Sequence, residues 1–179
     1  MTVEQINEFV KYLNKQVDNN SIYVWGGQGE LLETLTLAKL SKMEGSKSNV
    51  KRVVAMVNSL IQRDKNISMA RCFDCSGLGT YKLLEMGLIK SDMTADGLYK
   101  KCTKKSLNKI KKGDFVFKVT TEVVKDENGK TITRKKATHI GYVVDNDKNI
   151  VEAYGRDLGV IKRKLYEGSH FTEAGTFNG

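Results

Sequence analysis

The stretch Asp74-Cys75-Ser76-Gly77-Leu78-Gly79-Thr80-Tyr81-Lys82-Leu83-Leu84 puts a cysteine ahead of an apolar repeat with helical spacing. It reads as a helix that opens at Cys75 and runs to about Met86, with Gly87 as its stop. The first N–H groups of a helix have no intrahelical partner and carry partial positive charge. A thiol placed there is biased toward thiolate, the nucleophilic form. Downstream, one of only two histidines, His139, sits in an apolar strand-like segment. A cysteine hydrolase is the first hypothesis these residues raise.

Before this helix, Thr2 and Gln5 form a capping-box pattern. Val3, Ile6, Phe9, Val10, Leu13 and Val17 then keep a helical period to about Asn19. Ile22-Tyr23-Val24-Trp25-Gly26-Gly27 looks extended and then tightly turned. Further helices are expected from Glu30 to about Lys42 and from Asn49 to Arg63, and residues 28–73 are read as a helical insertion. Thr94 to Cys102 reads as a short helix.

From Gly113 the period becomes two. Phe115-Val116-Phe117 starts a strand, and Thr120 to Lys125 faces Thr131 to Lys136 across Asp126-Glu127-Asn128-Gly129-Lys130. Asn-Gly between alternating β-formers is a strong hairpin signal, and residues 118–137 are read as a β-hairpin insertion. A second hairpin joins His139–Val144 to Asn149–Tyr154, and Gly159 to Leu165 is a further strand. Helices first and antiparallel strands second indicate an α+β fold, with N-terminal helices packed on a central antiparallel sheet. With no linker, repeat or low-complexity tract, residues 1–179 read as one domain, expected to be a monomer.

Composition bounds the function. No apolar run approaches the roughly 20 residues that span a bilayer, and Met1-Thr2-Val3-Glu4-Gln5 lacks the pattern of a secretory signal. Thirty basic against 21 acidic side chains give a net charge of +9, which favours an anionic partner such as an acidic wall polymer. No RNA-binding motif or zinc-finger spacing accompanies the lysines, so nucleic acid is not expected. Cys72 and Cys75 have C-x-x-C spacing, the alternative signature of a redox or zinc protein, but no second pair accompanies them. Cys102 and Cys72 read as packing residues and His170, in a polar terminal stretch, as a bystander.

A cysteine nucleophile needs a base, and the base an orienter. His139 supplies the first. If Asn146-Asp147 is the turn of the second hairpin, or any longer even-numbered loop, Gly141 faces Glu152 and His139 lies one diagonal step away on the same face. Glu152 is then placed to hold the imidazole.

At these residues the chain resembles the NlpC family of papain-like cell-wall cysteine peptidases. The similar segments are Tyr23-Val24-Trp25-Gly26-Gly27, Asp74-Cys75-Ser76-Gly77, Thr94-Ala95-Asp96-Gly97-Leu98-Tyr99, Gly113-Asp114-Phe115-Val116-Phe117, His139-Ile140-Gly141-Tyr142-Val143 and Val151-Glu152-Ala153-Tyr154-Gly155. The resemblance implies a papain-like NlpC fold, Cys75 as nucleophile and His139 as base, with no cofactor or metal required. It places Tyr23 at the oxyanion; Trp25, Gly26, Asp74 and Ser76 are the candidate substrate-binding residues, and Asp74 also reads as a cap or brace for the helix start. The substrate implied is peptidoglycan, cut in the stem peptide next to D-glutamate, with an amidase or acyltransferase on the same fold as the rival. The family's usual third residue is histidine, and this chain departs from it with Glu152. Action at the bacterial wall or outside the cell is implied, by a released phage lysin or by a domain of a larger secreted protein. The rival from another class is a non-catalytic wall- or nucleic-acid-binding module.

Overall fold

The computed structural model describes residues 1–166 and 168–179. Helix α1 (Val3–Asp18) begins with the anticipated capping box: Thr2 and Gln5 each accept the other's backbone N–H with a side-chain oxygen. It buries Phe9, Val10, Tyr12 and Leu13. Strand β1 (Ile22–Tyr23) follows, then β2 (Gln28–Leu31), α2 (Leu37–Glu44), α3 (Lys47–Gln62) and β3 (Arg71–Phe73). These three strands form a small sheet in which β3 lies between β1, parallel to it, and β2, antiparallel to it.

Two expectations are corrected here. Residues 28–73 are not helical throughout, because both ends of the segment pair with each other: Gln28 stands opposite Phe73 and Leu31 opposite Arg71. The leucines at 31, 32 and 35 imitate a helical repeat, but Leu31 is strand and Leu32–Thr34 a single 3-10 turn. The helix waits for Thr36, whose hydroxyl accepts the Lys39 N–H at 3.2 Å. Helices α2 and α3 cover Ile22, Val24 and Cys72 with Leu40, Val53 and Leu60, a core of their own.

After α4 (Gly77–Glu85) and α5 (Ala95–Lys100) come β4 (Cys102–Lys105), β5 (Phe115–Lys125), β6 (Thr131–Val143), β7 (Asn149–Gly155), β8 (Gly159–Lys164) and β9 (Glu173–Phe177). They make one antiparallel sheet in the order β4-β9-β5-β6-β7-β8. Sequence reading missed β4 and β9, which pair with each other from Cys102↔Phe177 to Lys105↔Ala174. Both are short, and β4 adjoins α5 without a turn signal. Alternation sorts the central strands between two cores. Phe115, Phe117, Ile140, Tyr142 and Val151 face α1 and α4 with Phe9 and Leu13, whereas Val116, Val143, Ile150 and Phe171 pack on the other side. The ring of Phe115 lies 5.0 Å from that of Tyr142 and 5.5 Å from that of Phe177.

The β5–β6 hairpin pairs Thr120 with Lys136 and Lys125 with Thr131, as the Asn-Gly signal indicated. Deeper in the sheet the register slips: Lys118 faces His139 while Val119 faces Ala137. Thr138 is the extra residue of this β-bulge. Bulges re-aim neighbouring side chains, and this one immediately precedes His139.

Candidate active site

Cys75 lies in the turn between β3 and α4. The helix starts at Gly77 with Ser76 as cap, two residues later than the sequence indicated. Asp74 explains the delay, because its carboxylate accepts the Gly77 N–H at 2.7 Å and the Ser76 hydroxyl at 3.1 Å. Two close approaches fix this turn. A Cβ on Gly77 would collide with the carbonyl of Gly27, and one on Gly79 with the hydroxyl of Tyr142. The buried Tyr142 hydroxyl lies 3.4 Å from the carbonyls of both Cys75 and Ser76, pinning the turn to the central strand.

The local field differs from the simple expectation of a helix N-terminus. Burial pushes the Cys75 thiol up to about 12, and the neighbouring Asp74 adds to the rise. The N–H groups of Ser76, Cys75 and Ile140 act in the opposite direction but do not overcome it. The resting sulfur is therefore a neutral thiol at neutral pH. The influence of the Ile140 N–H on this sulfur brings Cys75 close to the residue next to His139. The β6–β7 ladder pairs Tyr142 with Val151 and Val143 with Ile150.

This is the register that sets Gly141 against Glu152. Val144 donates to Asn149 at 2.9 Å, leaving a four-residue loop and keeping the anticipated parity. His139 and Glu152 accordingly meet, Nε2 to Oε2 at 2.6 Å. Glu152 is fully buried, and its other oxygen accepts from Arg163 Nε at 2.6 Å. Burial disfavours the Glu152 carboxylate, but His139 and Arg163 outweigh it and hold the carboxyl below its ordinary range. With Nε2 engaged, Nδ1 is the His139 nitrogen left for another partner. Phe171 stacks on the ring at a centroid distance of 5.7 Å.

Tyr23 is buried, its hydroxyl pushed up by burial first and then by the negative charge that Cys75 and Asp74 would carry. The Arg156 guanidinium lies 5.3 Å from its ring centre. Trp25 is 60% exposed at the rim, and Gly26, at φ +69°, turns the chain beside it. Ser76 is buried with its hydroxyl committed to Asp74, so its side chain serves the turn. An unforeseen anchor comes from α2: the buried Glu44 accepts the Trp25 N–H at 3.0 Å and Arg156 Nε at 2.7 Å.

The C-x-x-C pair is divided between two cores, Cys72 with α2 and α3 and Cys75 with α1 and α4. All three cysteines are free. Among the described residues, the one metal-compatible cluster is His139, Glu152 and His170, with one ligand atom each within 4.8 Å of the others. An ion there would have to break the His139–Glu152 bond beside the charge of Arg163.

A scan of protein-family models finds no match to this chain, and a search of curated proteins finds none. Solved structures do match. The peptidoglycan hydrolase RipB from Mycobacterium tuberculosis superposes with a TM-score of 0.51 at 14% identity, over 98% of this chain and 67% of that one. The chain shares the α+β fold of that structure. The P60 domain of an antigen from M. avium subspecies paratuberculosis (TM-score 0.48, 15% identity, 96% of each chain) and the NlpC/p60 domain of the peptidoglycan hydrolase SagA (TM-score 0.41, 19% identity, 71% of this chain and 97% of that one) are also similar.

Within this fold, sequence reading passed over three residues that shape the site. Arg163 was within reach, because Glu152 pairs with Ile161 and strand alternation puts Arg163 one diagonal step away on the same face. Tyr142 lay inside a quoted motif. His170 sits in a non-periodic connection before β9 and gave no signal, yet its Nε2 is 3.4 Å from Glu152 Oε2, which puts it at the site.

Proposed function

We propose that this chain hydrolyses peptidoglycan by a thiol mechanism in which Cys75 is the nucleophile, His139 the base and Glu152 the orienter. The observation that carries the reading is the 2.6 Å His139–Glu152 bond, with the neighbouring Ile140 N–H acting on the Cys75 sulfur. The name of RipB, a peptidoglycan hydrolase with this fold, directs the reading to cell-wall substrate.

Because the thiol is neutral at rest, the proton leaves sulfur as attack begins, passing to Nδ1 of His139. Glu152 then neutralises the imidazolium. The tetrahedral oxyanion is met by the Cys75 N–H and the Tyr23 hydroxyl, which its raised pKa keeps protonated. His139 returns the proton to the leaving amine, and water drawn in by the same base hydrolyses the thioester. Trp25, Gly26 and Asp74 border the substrate.

The bond we assign is an amide of the stem peptide next to D-glutamate, the D-glutamyl endopeptidase specificity. The charge of +9 suits residence on anionic wall polymers. Action is at the wall or outside the cell, and residues 28–73 and 118–137 contribute walls of the groove. Mass spectrometry of wall fragments after digestion distinguishes this cleavage from that of an amidase, which releases the peptide from the sugar, and from acyl transfer. Intact stem peptides in the products would overturn the endopeptidase assignment.

A further inference from the structure

We propose that His170 is a positioning residue of this site: it leaves Glu152 to His139 while neutral and draws the carboxylate away from His139 when protonated. The inference rests on the reading of His139 as base. Its ground is geometric. His170 Nε2 stands 3.4 Å from the same Oε2 that His139 engages at 2.6 Å. That nitrogen is buried without a hydrogen-bond partner among the described residues, an arrangement that costs free energy unless a partner becomes available. The two imidazoles meet edge to face, 5.2 Å apart. Phe171, 4.3 Å away, and Tyr154, 5.8 Å away, hold the His170 ring from other sides.

Every element around His170 contributes to its charge state. Glu152 on β7 favours the cation, whereas His139 on β6, Arg163 on β8 and Lys118 on β5 oppose it. Burial is the largest influence and also opposes it, so the ring is held below the ordinary histidine range. Neutral His170 leaves Glu152 to His139. Once protonated, it gains a charge-assisted bond to Oε2 by a small ring movement. His139 then loses its counter-charge, and its imidazolium, which the reaction must form, faces a second cation. A cleft of about 440 Å³ lined by Lys118, Thr138, His139, Tyr154 and His170 gives water and protons access. His170 itself is 28% exposed.

The experiment compares wild type with His170→Gln, a side chain that hydrogen-bonds without titrating. On the acid side, log(kcat/KM) for peptidoglycan fragments should fall with a slope near two in wild type and near one in the variant. Equal slopes and midpoints overturn the proposal. The imidazoles are also titrated by NMR in Cys75→Ala protein, which needs neither substrate nor turnover. There the His139 resonances should move as His170 takes up its proton, and His170→Gln should abolish that movement. His139 resonances that do not respond to the titration of an intact His170 overturn the proposal, whether or not His170→Gln folds. If the wild-type chain cleaves nothing while NMR shows coupled histidines, it is the hydrolase reading that fails.

Discussion

Replacing Glu152 with glutamine removes one charge from a site that has little else to replace it. The carboxylate is fully buried and joined at 2.6 Å to both His139 and Arg163. Arg163 Nη2 is buried with no hydrogen-bond partner among the described residues, so its charge depends on this contact. Glutamine offers one oxygen and one NH2, and can satisfy Arg163 as an acceptor only by presenting a donor to His139. Losing one charge-assisted bond costs about 1.5–3 kcal/mol. With the stranded guanidinium, the total should reach about 3–5 kcal/mol, as when one partner of a buried pair is removed. The effect on chemistry should be larger in proportion. An NH2 donating to Nε2 forces the imidazole proton onto Nδ1, the nitrogen that must accept from Cys75. In the serine triad, the corresponding change of tautomer costs about 10⁴-fold, so we expect kcat to fall by roughly 10³–10⁴. Urea unfolding measures the first quantity and turnover of defined muropeptides the second. Stability within about 1 kcal/mol of wild type, together with activity within about tenfold, would refute the reasoning.

Other outcomes follow from the same geometry. Gly79→Ala forces a methyl group against the Tyr142 hydroxyl and should destabilise by about 1–3 kcal/mol, lowering activity by shifting the Cys75 turn, as thermal unfolding and turnover will show. Glu44→Gln breaks a buried pair with Arg156 and should cost about 3 kcal/mol in urea unfolding, raising KM more than it lowers kcat because it loosens Trp25 rather than His139. The Glu152 carboxyl is lowered on folding, so its contribution is present above the ordinary value of 4.5 and is lost as pH falls through the folded value. His170 is also lowered, so below pH 6.5 the unfolded chain takes up its proton first and stability falls. Unfolding followed from pH 7 to well below 4.5 should show both losses, and His170→Gln should remove the earlier one. Because burial raises the Cys75 thiol, His139→Ala protein should alkylate at Cys75 slowly at pH 7 and ever faster up to pH 10, without a plateau near neutrality.

Much of this arrangement was legible in the chain because it is local. The capping box of α1, the Asn-Gly hairpin and the parity of the second hairpin each follow from a few neighbouring residues, and parity alone brought Glu152 to His139. What escaped depended on contacts between distant segments. Leu31, Leu32 and Leu35 keep a helical spacing, but the pairing of Glu30 with Cys72 and of Leu31 with Arg71 makes Leu31 a strand residue. The bulge at Thr138 has no sequence signature, since it reflects two registers meeting within one hairpin. Likewise Glu44 reaches Trp25 across 19 positions and Arg156 across 112. The helix-terminus argument for a thiolate at Cys75 was sound as local physics, and burial outweighs it.

The most direct test of the central claim is digestion of purified peptidoglycan by wild-type and Cys75→Ala protein, with the fragments identified by mass spectrometry. The account predicts stem-peptide cleavage by the wild type and none by the folded variant. The same fragments from Cys75→Ala would contradict it.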